Sequence, residues 1–190
     1  MELNTIVALV VLAVFSLYII GVYNGIINRK NSVKRAWANV MTQERQKNKI
    51  IPELEKLVRQ YGEFEKGLQS DITKLRSGLD AMSSDRPDAS RLGGIEKLTS
   101  QVVSGFRMTM EAYPELKASE LFNNLMSEIA DQQEHIGASL RIFNYNVEIF
   151  NNGIQTFPNS LINGVINREK AIAEFSDKEA AGGFEYAPNL

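Results

Sequence analysis

The chain has 190 residues, with 21 basic and 23 acidic side chains and a net charge of −2. That balance gives no bulk electrostatic reason to bind nucleic acid or an acidic substrate. Cysteine is absent, which removes disulfides, thiolate nucleophiles and thiolate metal sites without indicating a compartment.

From Ile6 to Val22 the sequence reads IVALVVLAVFSLYIIGV, without a charge. A helix of about 20 apolar residues spans a hydrocarbon core of roughly 30 Å. The segment is therefore expected to be an uncleaved transmembrane anchor, over residues 1–27. A cleaved signal peptide fits less well: the leading residues MELN carry no basic side chain, and no Ala-x-Ala pattern follows. Arg29, Lys30, Lys34 and Arg35 come directly after the apolar run and are candidate headgroup contacts. By the positive-inside rule they predict an external N-terminus and a cytoplasmic remainder, as in a single-pass inner-membrane protein.

A four-three rhythm then runs through Val33, Trp37, Val40, Glu44, Lys47, Ile51, Leu54, Val58, Tyr61, Glu65, Leu68, Ile72, Leu75, Leu79 and Met82. This spacing keeps side chains on one stripe of a helix and suits coiled-coil packing. It predicts one helix from about Tyr23 to Met82, kinked between Asn48 and Pro52 because a proline inside a helix loses a backbone bond. Glu44, Lys47 and Glu65 are polar members of the stripe, which implies an open seam or pairing across helices.

Ser83 to Asp88 is a turn by composition. Ile95, Leu98, Val102, Phe106, Thr109 and Tyr113 restore the helical period. Gly93, Gly94 and Gly105 make this stretch dependent on tertiary packing. Pro114 marks a break, and Ser119 is a candidate N-cap for a third long helix. That helix carries Phe122, Leu125, Ile129, Gln132, Ile136, Leu140, Phe143, Val147, Phe150, Ile154 and Phe157 on one stripe. Phe157-Pro158-Asn159-Ser160 closes it, and a shorter amphipathic piece is expected from Leu161 to Phe175. Residues 181–190 read as an extended tail.

The expected fold is all-α: a transmembrane helix continuing into an elongated antiparallel bundle over residues 28–180, with three long helices and a small fourth. His135 is the single histidine, so neither a His-Glu-x-x-His site nor a three-histidine zinc site can be assembled. No cofactor, metal, nucleic acid or small-molecule substrate is expected, and an enzyme is a remote alternative. Trp37 is expected to be a core anchor, with a partner contact as the rival role. Asn144, Asn146, Asn151 and Asn152 give the third long helix a polar face short of charge, a candidate partner surface.

Tyr23-Asn24, Ala36-Trp37, Ile51-Pro52-Glu53-Leu54 and Tyr61 resemble, in order, the pattern of the LemA family. So do Glu111-Ala112-Tyr113-Pro114-Glu115-Leu116-Lys117-Ala118, Arg141, Tyr145-Asn146 and Phe157-Pro158. The tail departs from that pattern, ending Ala187-Pro188-Asn189-Leu190. The resemblance implies a bacterial single-pass membrane protein with a helical domain and no assigned enzymatic activity. Members occur beside a membrane zinc protease and among magnetosome membrane proteins. With the lipid bilayer, the expected partners are a second copy, another membrane protein, or such a protease. Anchor, stripes and missing chemistry together predict a non-enzymatic scaffold or adaptor working by lateral helix–helix association. The alternative is a subunit of a high-order membrane-shaping assembly.

Overall fold

The computed structural model describes residues 2–60, 66–84, 86–113 and 119–175. Every regular element among them is helical: α1 (Leu3–Gln60), α2 (Lys66–Asp80), α3 (Ala89–Ala112), α4 (Glu120–Gln155) and the short α5 (Asn159–Ile162), which runs into a π turn (Asn163–Asn167). The chain divides into two compact units. One comprises Met1–Arg35 with Asn144–Glu174, the other Ala36–Phe143 with Phe175–Leu190.

The second unit is an up-down-up-down arrangement of four helices. Asn48 meets Asp80 at 3.4 Å and Glu55 meets Arg76 at 3.0 Å, so α2 runs back along α1. Gly78 lies against Ile95 and Gly105 against Leu68, which makes α3 antiparallel to α2. Phe106 and Phe122 rings stand 6.0 Å apart, bringing α4 back along α3. Trp37 and Phe143, at 5.2 Å between centroids, close the circuit from α4 to α1. The amphipathic stripes meet in the middle: Val40, Ile51 and Leu54 of α1, Ile72 and Leu79 of α2, Val102 of α3 and Ile136 of α4 are all buried. Burying such side chains contributes roughly 1.5–3 kcal/mol each before ordering costs are counted.

Local signals set several helix ends. Asp88 caps α3, its Oδ1 accepting from the Arg91 backbone N–H at 2.9 Å. Ser119 does the same for α4 through the Phe122 N–H, at a longer 3.4 Å. Gly105 matters for a different reason: a Cβ there would stand 2.8 Å from Leu68 Cδ1, so the Leu68 side chain fills the space that a bare backbone leaves between α2 and α3.

In the first unit, α1 begins with a stretch from Glu2 to Tyr18 that is exposed at every position. The helix is long and apolar enough there to cross a membrane, and no part of its most apolar window is buried. Farther along, Ile26 and Val33 are buried, as are Val147, Phe150 and Ile154 of α4.

Three expectations need correction. The stripe from Val33 to Met82 does not lie on one helix, because α1 ends at Gln60 and α2 reverses direction. A four-three rhythm reports which side chains face a core and carries no information about chain direction, so it continued in phase across the reversal. The long helices in consequence number four among the described residues, with α2 taking the place of α1's expected second half. The piece from Leu161 to Phe175 is helical only to Asn167. There the Asn163 side chain accepts from the Glu169 N–H and donates to the Glu169 carbonyl, both at 3.0 Å. That side-chain clamp replaces further helix with a turn. Pro52 lies inside α1, which carries on to Gln60. The tail over 181–190 and the break at Pro114 lie outside the described residues.

The reversal has a direct check in this cysteine-free chain. With Asn48→Cys and Asp80→Cys combined, a short bis-maleimide is expected to cross-link the pair within one molecule. On a single continuous helix those positions would lie about 48 Å apart and no such product would form.

Candidate functional site

The second unit contains a buried ionic cluster. Lys47 projects from the α1 stripe with 3 % of its side chain exposed, beside Glu44 at 1 %, one helical turn away, and Glu96 of α3 at 2 %. An isolated buried ammonium would lose its proton, since removing a charge from water costs several kcal/mol. Here Lys47 Nζ donates to Glu96 Oε1 at 2.8 Å and to Thr99 Oγ1 at 3.2 Å. Gln133 of α4 donates to the other Glu96 oxygen at 2.7 Å. Thr99 in turn donates to the Ile95 carbonyl at 3.0 Å. Three helices therefore share one charge centre.

The two carboxyl groups have different roles. Lys47 Nζ is 3.0 Å from Glu44 Oε2, yet neither Glu44 oxygen accepts a hydrogen bond in good geometry. Burial, reinforced by the nearby Glu96 carboxylate, outweighs the pull of Lys47 and raises the Glu44 pKa well above the usual carboxylate value. Burial acts the same way on Glu96, but Lys47 and hydrogen bonds from Glu44, Lys47 and Gln133 more than offset it and leave the pKa lowered. Burial would also strip Lys47 of its proton; the two carboxyl groups override that and hold the ammonium above the ordinary lysine range. Desolvation and neighbouring charge thus compete at each group, and the winner differs from one to the next. Of the two carboxyl groups, Glu44 is thus the one that keeps its proton to the higher pH, while Glu96 ionises readily beside the Lys47 ammonium.

Glu44 and Lys47 stand out in the sequence as polar members of an apolar stripe. Glu96, Thr99 and Gln133 do not. Glu96 follows the core residue Ile95 and reads as surface charge. The rhythm places Gln132 on the α4 stripe, whereas Gln133 is the buried one and Gln132 only half-buried. The available signal was complementarity: two buried charges on α1 require partners on a facing helix.

The other candidates fall in both units. Trp37 is fully buried, stacks in a tilted geometry on Phe143, and donates from its indole N–H to the Ser83 carbonyl at 3.1 Å. Its ring surface is spent on the core. Asn151 is half-buried and holds the backbone of Ile172 from both sides, donating to its carbonyl and accepting from its N–H, each at 2.9 Å. Asn144 and Asn146 are half-buried and engaged within the structure, while Asn152 is exposed. Arg29 lies over Gly153, where a Cβ would come within 2.8 Å of the Arg29 Cδ. Lys30 grips both oxygens of Glu169, at 2.6 and 2.7 Å. Lys34 and Arg35 are exposed. His135 is exposed on α4, and among the described residues no three His, Asp or Glu side chains are grouped as a metal site would need. Between α2 and α3 a shallow groove of about 380 Å³ opens to solvent over Leu68, Ser100, Ser104 and Gly105.

These opposed directions make the cluster testable by pH. Lys47, raised, contributes stability that is complete below its unfolded value and lost as pH climbs through the folded one. Lys47→Met leaves two buried carboxyls without a cation, so both must take up protons and stability falls with rising pH. Denaturant melts in detergent should show that variant about 3–5 kcal/mol less stable at neutral pH, with part of the loss recovered towards pH 5. Glu44→Gln should cost much less than Lys47→Met, because the amide keeps the shape of the neutral acid that burial favours there.

Comparison with known proteins adds an independent finding. A profile described as the LemA family matches residues 36–182. The chain is also similar to "Protein LemA" of Metamycoplasma hominis, at 25 % identity over 146 residues. That match takes in 77 % of this chain and 65 % of the relative, so the chain spans less than two thirds of the relative's length.

Proposed function

The chain belongs to the LemA family, and from that premise we propose that it is a membrane-anchored, non-enzymatic scaffold or adaptor that works by lateral helix–helix association. The observation that carries this reading is the first stretch of α1. It is exposed at every position from Leu3 to Tyr18 and apolar from Ile6 onwards but for Ser16 and the Tyr18 hydroxyl, and it continues as the same helix into the folded part. Left in water, such a surface would be an aggregation liability; in a bilayer it meets a matching solvent. Lys34 and Arg35 at its far end favour a cytoplasmic bundle in an inner membrane.

Support for lateral association comes from α4. Tyr145, Ile149 and Asn152 are exposed at steps of four and three, so they form one outward stripe on the part of α4 in the first unit, whose opposite stripe of Val147, Phe150 and Ile154 is already buried. Of the asparagines singled out in the sequence, Asn152 alone shares that stripe. A second copy of this chain, or a helix of another membrane protein such as a protease, would cover it. Confinement to the same membrane raises the effective concentration of such a partner.

Two measurements test the proposal. Particles extracted in mild detergent should exceed the mass of one 21.3 kDa chain with its micelle, and Tyr145→Asp should return them to monomers. Monomeric particles with no companion protein would contradict the scaffold. For orientation, Ser90→Cys should resist an impermeant thiol reagent in intact cells; labelling there would place the bundle outside.

A further inference from the structure

Beyond α4 the chain exposes apolar side chains that its own core does not use. Phe157 is 79 % exposed, Leu161 64 %, Val165 72 % and Ile166 47 %. Leu161 and Val165 fall four residues apart through α5 and the π turn, which keeps them on one face, and Phe157 lies just ahead of α5. This is no frayed end. Asn159 donates to the Gly153 carbonyl at 3.2 Å, and the Asn163 side chain clamps the Glu169 backbone in both directions. The segment is built, with its greasy side outward.

Its place in the first unit indicates what covers it. Gly153, to which Asn159 is tied, packs against the Arg29 side chain, whose Nη1 reaches back towards Gly25. Glu169, at the other end, is held by Lys30. Both ends of the segment are therefore fixed to α1 between Gly25 and Lys30, the turns directly after the apolar run. Charge agrees with position. Arg168 and Lys170 are exposed, and the acidic residue between them is already taken by Lys30.

We propose that the segment from Phe157 to Ile166 is a second membrane contact, inserting its apolar face at the headgroup–acyl boundary of the bilayer that the first helix crosses, with Arg168 and Lys170 against anionic headgroups. Shallow burial of this kind follows buried apolar area plus attraction to anionic lipid. One helix alone would leave the folded part free to tilt and swivel. A second contact fixes which faces of the first unit look along the membrane, and so which stripe meets a partner. The inference rests on the anchor reading and adds the lipid surface as a ligand of a different segment.

The native chain has no cysteine, so single-thiol variants of the full chain in vesicles of mixed zwitterionic and anionic lipid test both ideas apart. A fluorophore sensitive to polarity is attached at Leu161→Cys, Val165→Cys, Leu12→Cys or Met108→Cys, all at exposed positions. Labels at 161 and 165 should lose most of their emission to a quencher carried high on the acyl chain and little to aqueous iodide. The label at 12 should respond to a deep lipid quencher, and that at 108 to iodide alone. Iodide quenching at 161 and 165, with the label at 12 still in lipid, overturns the second contact and leaves the anchor standing. Shielding from both quenchers also overturns it, since a protein would then occupy the face. A label at 12 open to iodide removes the anchor and this inference with it.

Discussion

A lysine ammonium sealed inside a helix bundle is the constraint on which the second unit turns. Apolar stripes are forgiving: a helix moved by one heptad still buries leucine against valine. Lys47 is not forgiving, because its charge is tolerable only where Glu96, Thr99 and Glu44 surround it. Gln133 extends the requirement to α4. Hydrophobic burial supplies most of the driving force for assembly, while the charge centre specifies one register among several of similar apolar area. The raised pKa of Glu44 belongs to the same constraint, since a second negative charge beside Glu96 would leave the centre with a net buried charge.

The same logic explains what was legible in the sequence. Whether a residue faces inward depends on local periodicity, so Trp37, Ile72, Phe106, Phe143 and Phe150 were readable one helix at a time. Chain direction is a property of the whole fold. The rhythm ran unbroken from Leu54 to Leu68 and on to Met82, although the chain turns back between α1 and α2; Gly62 and Gly67 signalled only a cost in helix propensity. Partners across helices were hidden for a related reason. Glu96 and Gln133 sit one position from where a single-face reading puts the core, and only the demand of Lys47 for a carboxylate would have found them. The turn at Asn163 was invisible because one side chain, not composition, ends the helix there.

The first unit has a different physics. Its α1 surface from Leu3 to Tyr18 has no protein covering among the described residues, and the turns after it carry Arg29 laid across Gly153 and Lys30 bound to Glu169. These contacts tie the turns following the apolar run to the end of α4. The helix fastened there is also the one that exposes Tyr145 and Ile149. In a LemA-family chain whose role we propose is association within a membrane, that is the coupling the role needs: the helix with exposed Tyr145 and Ile149 is fastened to the helix with the exposed apolar run.

The state of Glu44 is the most direct test of this account. Infrared spectra of the full chain in detergent, recorded in light and heavy water as the pH is raised, should contain the carbonyl stretch of one carboxyl group that keeps its proton after the exposed carboxyls have lost theirs. The band should vanish in Glu44→Gln and persist when the exposed Glu53 is replaced by glutamine. Carboxyl bands that all disappear together, or a last band indifferent to Glu44, would contradict the raised pKa of that residue and with it the account of the charge centre.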